Sequence, residues 1–363
     1  TNPFTNKRIL LGVTGSIAAY KAADLASKLT QAGALVDVVL TESATKFVSP
    51  LTFQSVTGRK AFTDADLWGG EGHVTHIGLG HAADLVLIAP VSANTLAKLA
   101  HGVGDNLLSV TVLASHCPLV LAPAMDVGMY SHPATQANVE ILRQRGAEFI
   151  GPEEGHLASG LVGLGRFVEP ARILGQMRYL LSRGGPLAGR KVVVTAGGTQ
   201  EPIDPVRMIT NRSSGKQGYA VAQAALDAGA EVVLISAPTA LTAPAGAALV
   251  AVKTAAQMQA VVLNETGDAH ALIMAAAVAD FRPLPAAQKL KKETGIPKIE
   301  LEVTADILAA VSARKAETGF PKFTVGFAAE SQDLLKNAKS KLERKRLDMI
   351  VANDILAQDA GFE

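Results

Sequence analysis

The sequence predicts an α/β protein made of two doubly wound units, and three observations carry that prediction. Short apolar runs recur, each followed by a turn of small residues and then a helical pattern, which is the rhythm of βαβ units. Hydrophobic residues make up 48% of the chain but aromatic residues only 4%, so the apolar mass is mostly Ala, Val and Leu, suited to closely packed parallel strands and helices. The rhythm also starts twice, and 363 residues exceed what one ordinary core holds.

Arg8 to Val13 reads as a buried strand, Gly12 to Ser16 as a turn, and Ile17 to Gln31 as a helix with Ala18, Ala22, Leu25 and Leu29 on one face, stopped by Gly33. Leu35 to Leu40 is the second strand, and Asp84 to Ala89 and Pro118 to Ala122 are two more, separated by helical stretches. Residues 183–190 are rich in helix breakers and read as a linker between domains at 1–182 and 191–363. Lys191 to Thr195 then opens a new series: a turn at Gly197 and Gly198, a helix from about Lys216, and strands at Glu231 to Ser236, Ala271 to Ala276 and Phe323 to Phe327. Ala237 to Ala248 reads as a surface loop.

The formal net charge of +1 leaves no global field to attract nucleic acid or an anionic membrane, so any anion site must be local. One cysteine, Cys117, cannot form an internal disulfide, and no N-terminal stretch has the layout of a signal peptide. The expectation is a cytoplasmic protein with no nucleic-acid or membrane partner. Cys117, just before Pro118 and an apolar strand, reads as a small core or strand-edge residue.

In the first half, Gly12-Val13-Thr14-Gly15-Ser16-Ile17 places glycines and a hydroxyl where a strand enters a helix, so backbone N–H groups and the positive helix end are available to a phosphate. Thr41-Glu42-Ser43, Ala89 to Thr95 and Pro123-Ala124-Met125-Asp126 each follow a strand, and strand C-terminal ends are where ligands of such sheets bind. With Gly15-Ser16-Ile17-Ala18-Ala19-Tyr20-Lys21 and the stretch Gly102 to Ser109, these motifs resemble the FMN-binding family of cysteine decarboxylases over about residues 7–180.

That resemblance implies a flavodoxin-like (Rossmann-like) domain in which Gly15, Ser16, Ile17, Thr41, Ser43, Ser92, Asn94, Ser109 and Met125 hold FMN. It makes His76 a base near the flavin and Gly151 to Gly165, ending in Arg166, a lid. Two positions depart from the family pattern: Asp126 stands where an asparagine binds the substrate carboxylate, and Ser159 where a flap cysteine completes the reduction. An ionised Asp126 about 4 Å from a substrate carboxylate would cost on the order of 4 kcal/mol at an effective dielectric of about 20.

The second half opens with Thr195-Ala196-Gly197-Gly198-Thr199-Gln200-Glu201-Pro202-Ile203-Asp204-Pro205-Val206-Arg207, followed by Ile209 to Lys216 with its Asn211-Arg212-Ser213-Ser214-Gly215-Lys216 run. Met274 to Phe281, Lys289-Leu290-Lys291-Lys292, Thr304 to Ile307, Gly326 to Glu330, Lys341 and Lys345 come in the order that resembles bacterial phosphopantothenate-cysteine ligase. The resemblance implies a second Rossmann-like domain that uses CTP as a substrate, with Mg²⁺, to activate phosphopantothenate as an acyl-cytidylate before cysteine attacks. It assigns nucleotide contacts to Met274, Ala275, Ala276, Asp280, Lys289, Thr304, Ala305, Asp306, Ile307, Phe327, Lys341 and Lys345, and catalytic roles to Arg207, Asn211 and Lys289.

Residue by residue, plainer readings stand beside these: a helix cap for Asn211, a surface charge for Arg207, a solvated basic helix for Lys341 and Lys345. Metal ligands are left open. The whole is read as a bifunctional homo-oligomeric enzyme whose flavin half decarboxylates the ligase product, shortened at its C-terminus. A ligase with a flavin-domain scaffold and a non-enzymatic regulatory protein are the alternatives.

Overall fold

The computed structural model describes residues 2–68, 74–291, 298–330 and 333–354. It divides into two compact units, residues 1–181 and 182–363. The first contains β1 (Arg8–Val13), α1 (Ala19–Gln31), β2 (Leu35–Leu40), α2 (Glu42–Thr45), α3 (Pro50–Thr57), β3 (Ala61–Phe62), α4 (Thr75–Ala82), β4 (Leu85–Val91), α5 (Ala93–His101), α6 (Leu107–Ala114) and β5 (Leu119–Pro123). It continues with α7 (Val127–Ser131), α8 (Pro133–Gln144), β6 (Glu148–Phe149), β7 (Glu153–His156), β8 (Val162–Arg166) and α9 (Pro170–Ser182).

Six of these strands form a parallel sheet in the order β3-β2-β1-β4-β5-β6. That is the Rossmann order; without the two-residue edge strand β3 it is the flavodoxin order, and both place the topological switch point between β1 and β4. Every residue of β4 is buried, as a central parallel strand covered on both faces requires. On one face Ile9, Leu11 and Leu87 pack with Ala22, Leu25 and Leu29 of α1; on the other Leu10, Val86 and Ile88 pack with Leu96, Leu108 and Leu142. The first helix begins at Ala19 and not at Ile17, because Ser16 accepts hydrogen bonds from the N–H groups of Ala18 and Ala19 and prolongs the turn.

The switch point is closed by a buried hydroxyl. The β1–β4 pairing ends at Gly12 opposite Ile88, and Pro90 beyond it has no N–H to give. Thr14 Oγ1 donates to the Pro90 carbonyl at 2.8 Å and accepts the Ser92 N–H at 2.9 Å.

The expected lid is an antiparallel hairpin, β7–β8, resting on the segment after β5. Met125 N–H donates to the Gly165 carbonyl at 3.1 Å, and a Cβ on Gly165 would stand 2.2 Å from the Met125 carbonyl oxygen. Only glycine permits that approach.

The second unit contains β9 (Lys191–Ala196), β10 (Gln200–Pro202), β11 (Met208–Thr210), α10 (Lys216–Asp227), β12 (Glu231–Ser236), β13 (Ala248–Ala251), α11 (Ala255–Glu265) and β14 (Ala271–Met274). It ends with β15 (Phe281–Pro283), β16 (Leu301–Val303), α12 (Ile307–Thr318), β17 (Phe323–Glu330), α13 (Leu334–Arg344) and β18 (Met349–Asp354). Its parallel sheet, β13-β12-β9-β14-β17-β18, repeats the order of the first, and two short antiparallel ribbons, β10–β11 and β15–β16, stand apart from it. Residues 183–190 belong to this unit instead of hanging as a linker: Leu187 N–H donates to the Ala228 carbonyl at 2.7 Å, and Gly185 lies against Ala228 and Gly229. Among the described residues no helix is long and apolar enough to cross a membrane.

Thr14→Val keeps the shape but leaves the Ser92 N–H without its acceptor. The first unfolding transition of the full chain in urea should lose about 1–3 kcal/mol, the cost of an unsatisfied buried donor.

Candidate functional site

The first candidate site lies at the carboxyl ends of β1, β2, β4 and β5. There the turn carrying Gly15, Ser16 and Ile17 meets the β2 loop so closely that a Cβ on Gly15 would fall 2.5 Å from Ser43 Cβ. Among the described residues no side chain caps the start of α1, which leaves its positive end open to a ligand. Thr41 is fixed by its N–H donating to the Val13 carbonyl at 3.0 Å, and its hydroxyl caps α2. Ser92 caps α5, whose first turn carries the exposed Asn94. Ser109 is buried and its hydroxyl serves a reciprocal cap with Asn106 at the start of α6.

His76 sits in the first turn of α4, half-buried, and its Nδ1 is buried without a hydrogen-bond partner among the described residues. An orphaned polar atom of this kind costs about 1–3 kcal/mol unless a ligand satisfies it. The uncapped helix start, the close-packed glycine turn and the unpartnered imidazole nitrogen together fit a flavin phosphate at one end and a reacting group at the other.

The two residues that depart from the decarboxylase pattern touch each other. Ser159 Oγ, at the tip of the β7–β8 hairpin, donates to Asp126 Oδ2 at 2.6 Å, while Asp126 Oδ1 accepts the Gly128 N–H at 2.9 Å and caps α7. The Ser159 hydroxyl, and then the Gly128 N–H, hold the Asp126 carboxyl below the usual carboxylate range. Cys117 packs partly buried against the core, and burial pushes its thiol up.

The second candidate site is a cavity of about 1600 Å³ at the carboxyl edge of the second sheet. Asn211, Met274 to Asp280, Thr304 to Ile307, Phe327, Lys341 and Lys345 all line it. Thr304 joins two walls, since its N–H donates to the Asp280 carbonyl at 2.9 Å and its hydroxyl to the Ala279 carbonyl at 2.5 Å. Asn211 Nδ2 lies 3.4 and 3.3 Å from the Ala277 and Val278 carbonyls. Lys341 Nζ donates to the Phe327 carbonyl at 2.7 Å, and Lys345 pairs with Asp306, which also caps α12.

Two expected members stand outside this wall: Lys289 is exposed on the segment after β15, and Arg207 is bound to Asp204. Lys292 lies outside the described residues. The cavity has further members that sequence reasoning passed over, among them Gln217, Asn337, Ser340 and Asn353, with Asn353 Nδ2 at 3.5 Å from Gln217 Oε1. Asn353 was findable as a polar residue at the carboxyl end of a strand; the helix positions carried no such signal. No group of three or more His, Cys, Asp or Glu able to hold a metal gathers among the described residues.

Comparison with known proteins places the chain in a family. The model for the flavoprotein family matches residues 2–181, and that for the DNA/pantothenate metabolism flavoprotein C-terminal domain matches residues 187–363. A coenzyme A biosynthesis bifunctional protein CoaBC of Bacillus subtilis is 47% identical over 361 residues, covering 98% of this chain and 88% of that protein. The chain belongs to this family. The CoaBC of Mycobacterium tuberculosis H37Rv is 46% identical, again with 98% of this chain and 88% of the relative covered. Among solved structures, the C-terminal domain of a CoaBC is 42% identical, covering 46% of this chain and 79% of that one with a TM-score of 0.41. A PPC decarboxylase mutant complexed with pantothenoylaminoethenethiol is 35% identical, covering 48% of this chain and 98% of that one with a TM-score of 0.44. As a member of this family the chain is an enzyme of coenzyme A biosynthesis.

The Asp126–Ser159 contact has a pH signature. A depressed carboxyl contributes stability that is complete above its unfolded value, about 3.9 for aspartate, and is lost as the pH falls through the lower folded value. In Ser159→Ala the Asp126 midpoint, followed by carboxyl carbon NMR, should rise toward about 3.9. Amide protection of the hairpin should be weaker in this variant than in the parent at neutral pH, and the difference should vanish as the pH falls through the Asp126 midpoint of the parent.

Proposed function

We propose that the second unit joins phosphopantothenate to cysteine in two steps that consume CTP, and that the first unit decarboxylates the resulting phosphopantothenoylcysteine to phosphopantetheine with FMN. The observation that carries the ligase reading is the single cavity of about 1600 Å³ shared by Asn211, the 274–280 and 304–307 segments, Phe327 and the two lysines. A drug-sized ligand site is about 300–1,000 Å³, so this volume suits a nucleotide together with a second substrate.

In the first step the substrate carboxylate attacks the α-phosphorus and pyrophosphate leaves; in the second the cysteine amine attacks the acyl carbon and CMP leaves. Lys341 and Lys345 supply charge for the phosphates, exchanging a carbonyl and a carboxylate for them, and Lys289 assists the approach of two anions. The Ala275 to Ala279 backbone and Phe327 receive the nucleotide. Asn211 donates from a neutral amide to the acyl oxygen as its charge builds, without competing as a nucleophile. Mg²⁺ would enter with the triphosphate, close to the Asp280 and Asp306 carboxylates that line the cavity; no step depends on it here.

In the first unit, Ser16, Ser43 and the start of α1 would hold the flavin phosphate. Bound FMN supplies the acceptor for an electron pair from the thiol end of the substrate. His76 Nδ1 is the atom available to hold a proton, and the β7–β8 hairpin excludes water. Asp126, ionised at neutral pH, opposes a substrate carboxylate placed beside it. Homo-oligomeric assembly fits the exposed apolar residues of the ribbons, Met208, Phe281, Leu301 and Val303.

Mass spectrometry of the products formed from phosphopantothenate, cysteine and CTP tests both halves together. Asn211→Ala should accumulate the acyl-cytidylate, and formation of phosphopantothenoylcysteine at the parent rate would refute its role. Asp126→Asn should raise single-turnover decarboxylation by up to roughly a thousandfold. No gain over an already rapid parent would mean that other residues receive the carboxylate.

A further inference from the structure

A carboxylate that belongs to neither cavity wall organises the edge of the ligase site. The Asp204 side chain is completely buried, between β10 and β11. Its Oδ1 accepts the N–H groups of Val206 and Arg207, both at 2.8 Å. Its Oδ2 accepts Arg207 Nε at 2.9 Å and, across 86 residues of sequence, the Leu290 N–H at 3.1 Å. Arg207 Nη2 completes the clamp by donating to the Leu290 carbonyl at 2.5 Å, and Ala286 N–H donates to the Ile203 carbonyl at 2.9 Å.

A turn alone does not require this arrangement. The two contacts of Oδ1 make an ordinary Asx turn, which asparagine would serve equally well without burying a charge. Oδ2 is directed instead at an irregular segment, where it and Arg207 take both backbone groups of Leu290. Burial disfavours the charge on Asp204, but the hydrogen bonds from Val206, Arg207 and Leu290 outweigh it and hold the carboxyl well below the usual carboxylate range. The neighbour of Leu290 is Lys289, and β11 leads directly to Asn211.

We propose that Asp204 is a positioning residue of the ligase: through Arg207 and Leu290 it fixes the backbone that carries Lys289, and through the β10–β11 ribbon it ties that backbone to Asn211. Arg207 acts with it, holding the Leu290 carbonyl. This rests on the reading of Lys289 as a residue of acyl-cytidylate formation. Misplacing such a group by about 1 Å costs roughly a hundredfold, so loss of the clamp should be visible in the first step.

The test is phosphopantothenate-dependent isotope exchange between pyrophosphate and CTP, without cysteine, in the full chain. This follows formation of the bond between the carboxylate oxygen and the α-phosphorus, with breakage of the α–β phosphate link, and its reversal. Asp204→Asn should lower exchange by roughly ten- to a hundredfold, with the Kd for CTP changed less than about twofold. In Lys289→Gln, Asp204→Asn should add no further loss, because both changes remove the same contribution. Multiplicative losses, or parent-rate exchange in Asp204→Asn, overturn the proposal.

Should Asp204→Asn fail to bind CTP at all, Arg207→Lys decides, since it keeps a cation at Asp204 but gives up the bond to the Leu290 carbonyl. It must show the same non-additivity with Lys289→Gln, and a multiplicative loss refutes the clamp. Parent-rate exchange in Lys289→Gln alone refutes the role of Lys289 and the proposal with it. No exchange in the parent refutes the CTP reading itself.

Discussion

A buried threonine hydroxyl at each topological switch point is the constraint on which both sites depend. Where two parallel strands part company, their last backbone groups lose ladder partners, and leaving them unpaired inside the protein is costly. Thr14 Oγ1 bridges the Pro90 carbonyl and the Ser92 N–H at the end of β1. Thr195 Oγ1 does the corresponding work at the end of β9, accepting the Ala276 N–H at 3.1 Å, and Thr199 Oγ1 accepts the Ala279 N–H at 2.9 Å. All three threonines are almost fully buried. The loops that diverge from these points carry Ser92 and Asn94 in one unit and Met274 to Asp280 in the other, so the hydroxyls set the opening of each ligand crevice.

Around those openings the charged groups are partnered in ways a ligand can take over. Lys345 with Asp306 and Lys341 with a carbonyl are partly exposed contacts, and such pairs are worth about 0–1 kcal/mol. A phosphate offers the same lysines several charged acceptors, so exchanging partners favours binding at little cost. His76 is the opposite case, since its buried Nδ1 has no partner to exchange among the described residues and gains one only from a ligand. Asp204 differs again: completely buried and bound to its own turn and to Leu290, it is built to stay as it is.

Much of this was legible in the sequence because buried parallel strands write long apolar runs. β1, β2, β4, β9 and β12 came through within about two residues of their bounds, and the turns after them named the crevice residues. The ribbons β10–β11 and β15–β16 did not, because strands of three residues such as Gln200–Pro202 carry no period to detect. The β13 strand was missed for the same reason: the preceding loop was drawn to Ala248, and the four residues Ala248–Ala251 at a sheet edge show no period. The resemblance put Lys289 among the nucleotide contacts and gave Arg207 a catalytic role, whereas neither residue lines the cavity. The cause is the Asp204 clamp, whose partners lie 86 residues apart and leave no local pattern.

The hydrogen bond between Ser159 and Asp126 also changes how those two positions should be understood. Read singly, each is a departure that weakens the flavin half, one by adding a charge and the other by removing a thiol. Together they form a donor–acceptor pair in which the hydroxyl stabilises the ionised carboxylate at 2.6 Å. A thiol in the same place would be a weaker donor, and the neighbouring negative charge would oppose its conversion to thiolate. An amide at 126 would remove the charge that makes the serine hydroxyl such a favourable donor. Each residue therefore makes the other more tolerable, and the hairpin tip is tied to the loop after β5 by their contact as well as by Gly165 and Met125. The contact therefore fixes where the Asp126 charge sits and not whether it is present, since an aspartate is ionised at neutral pH with or without the serine.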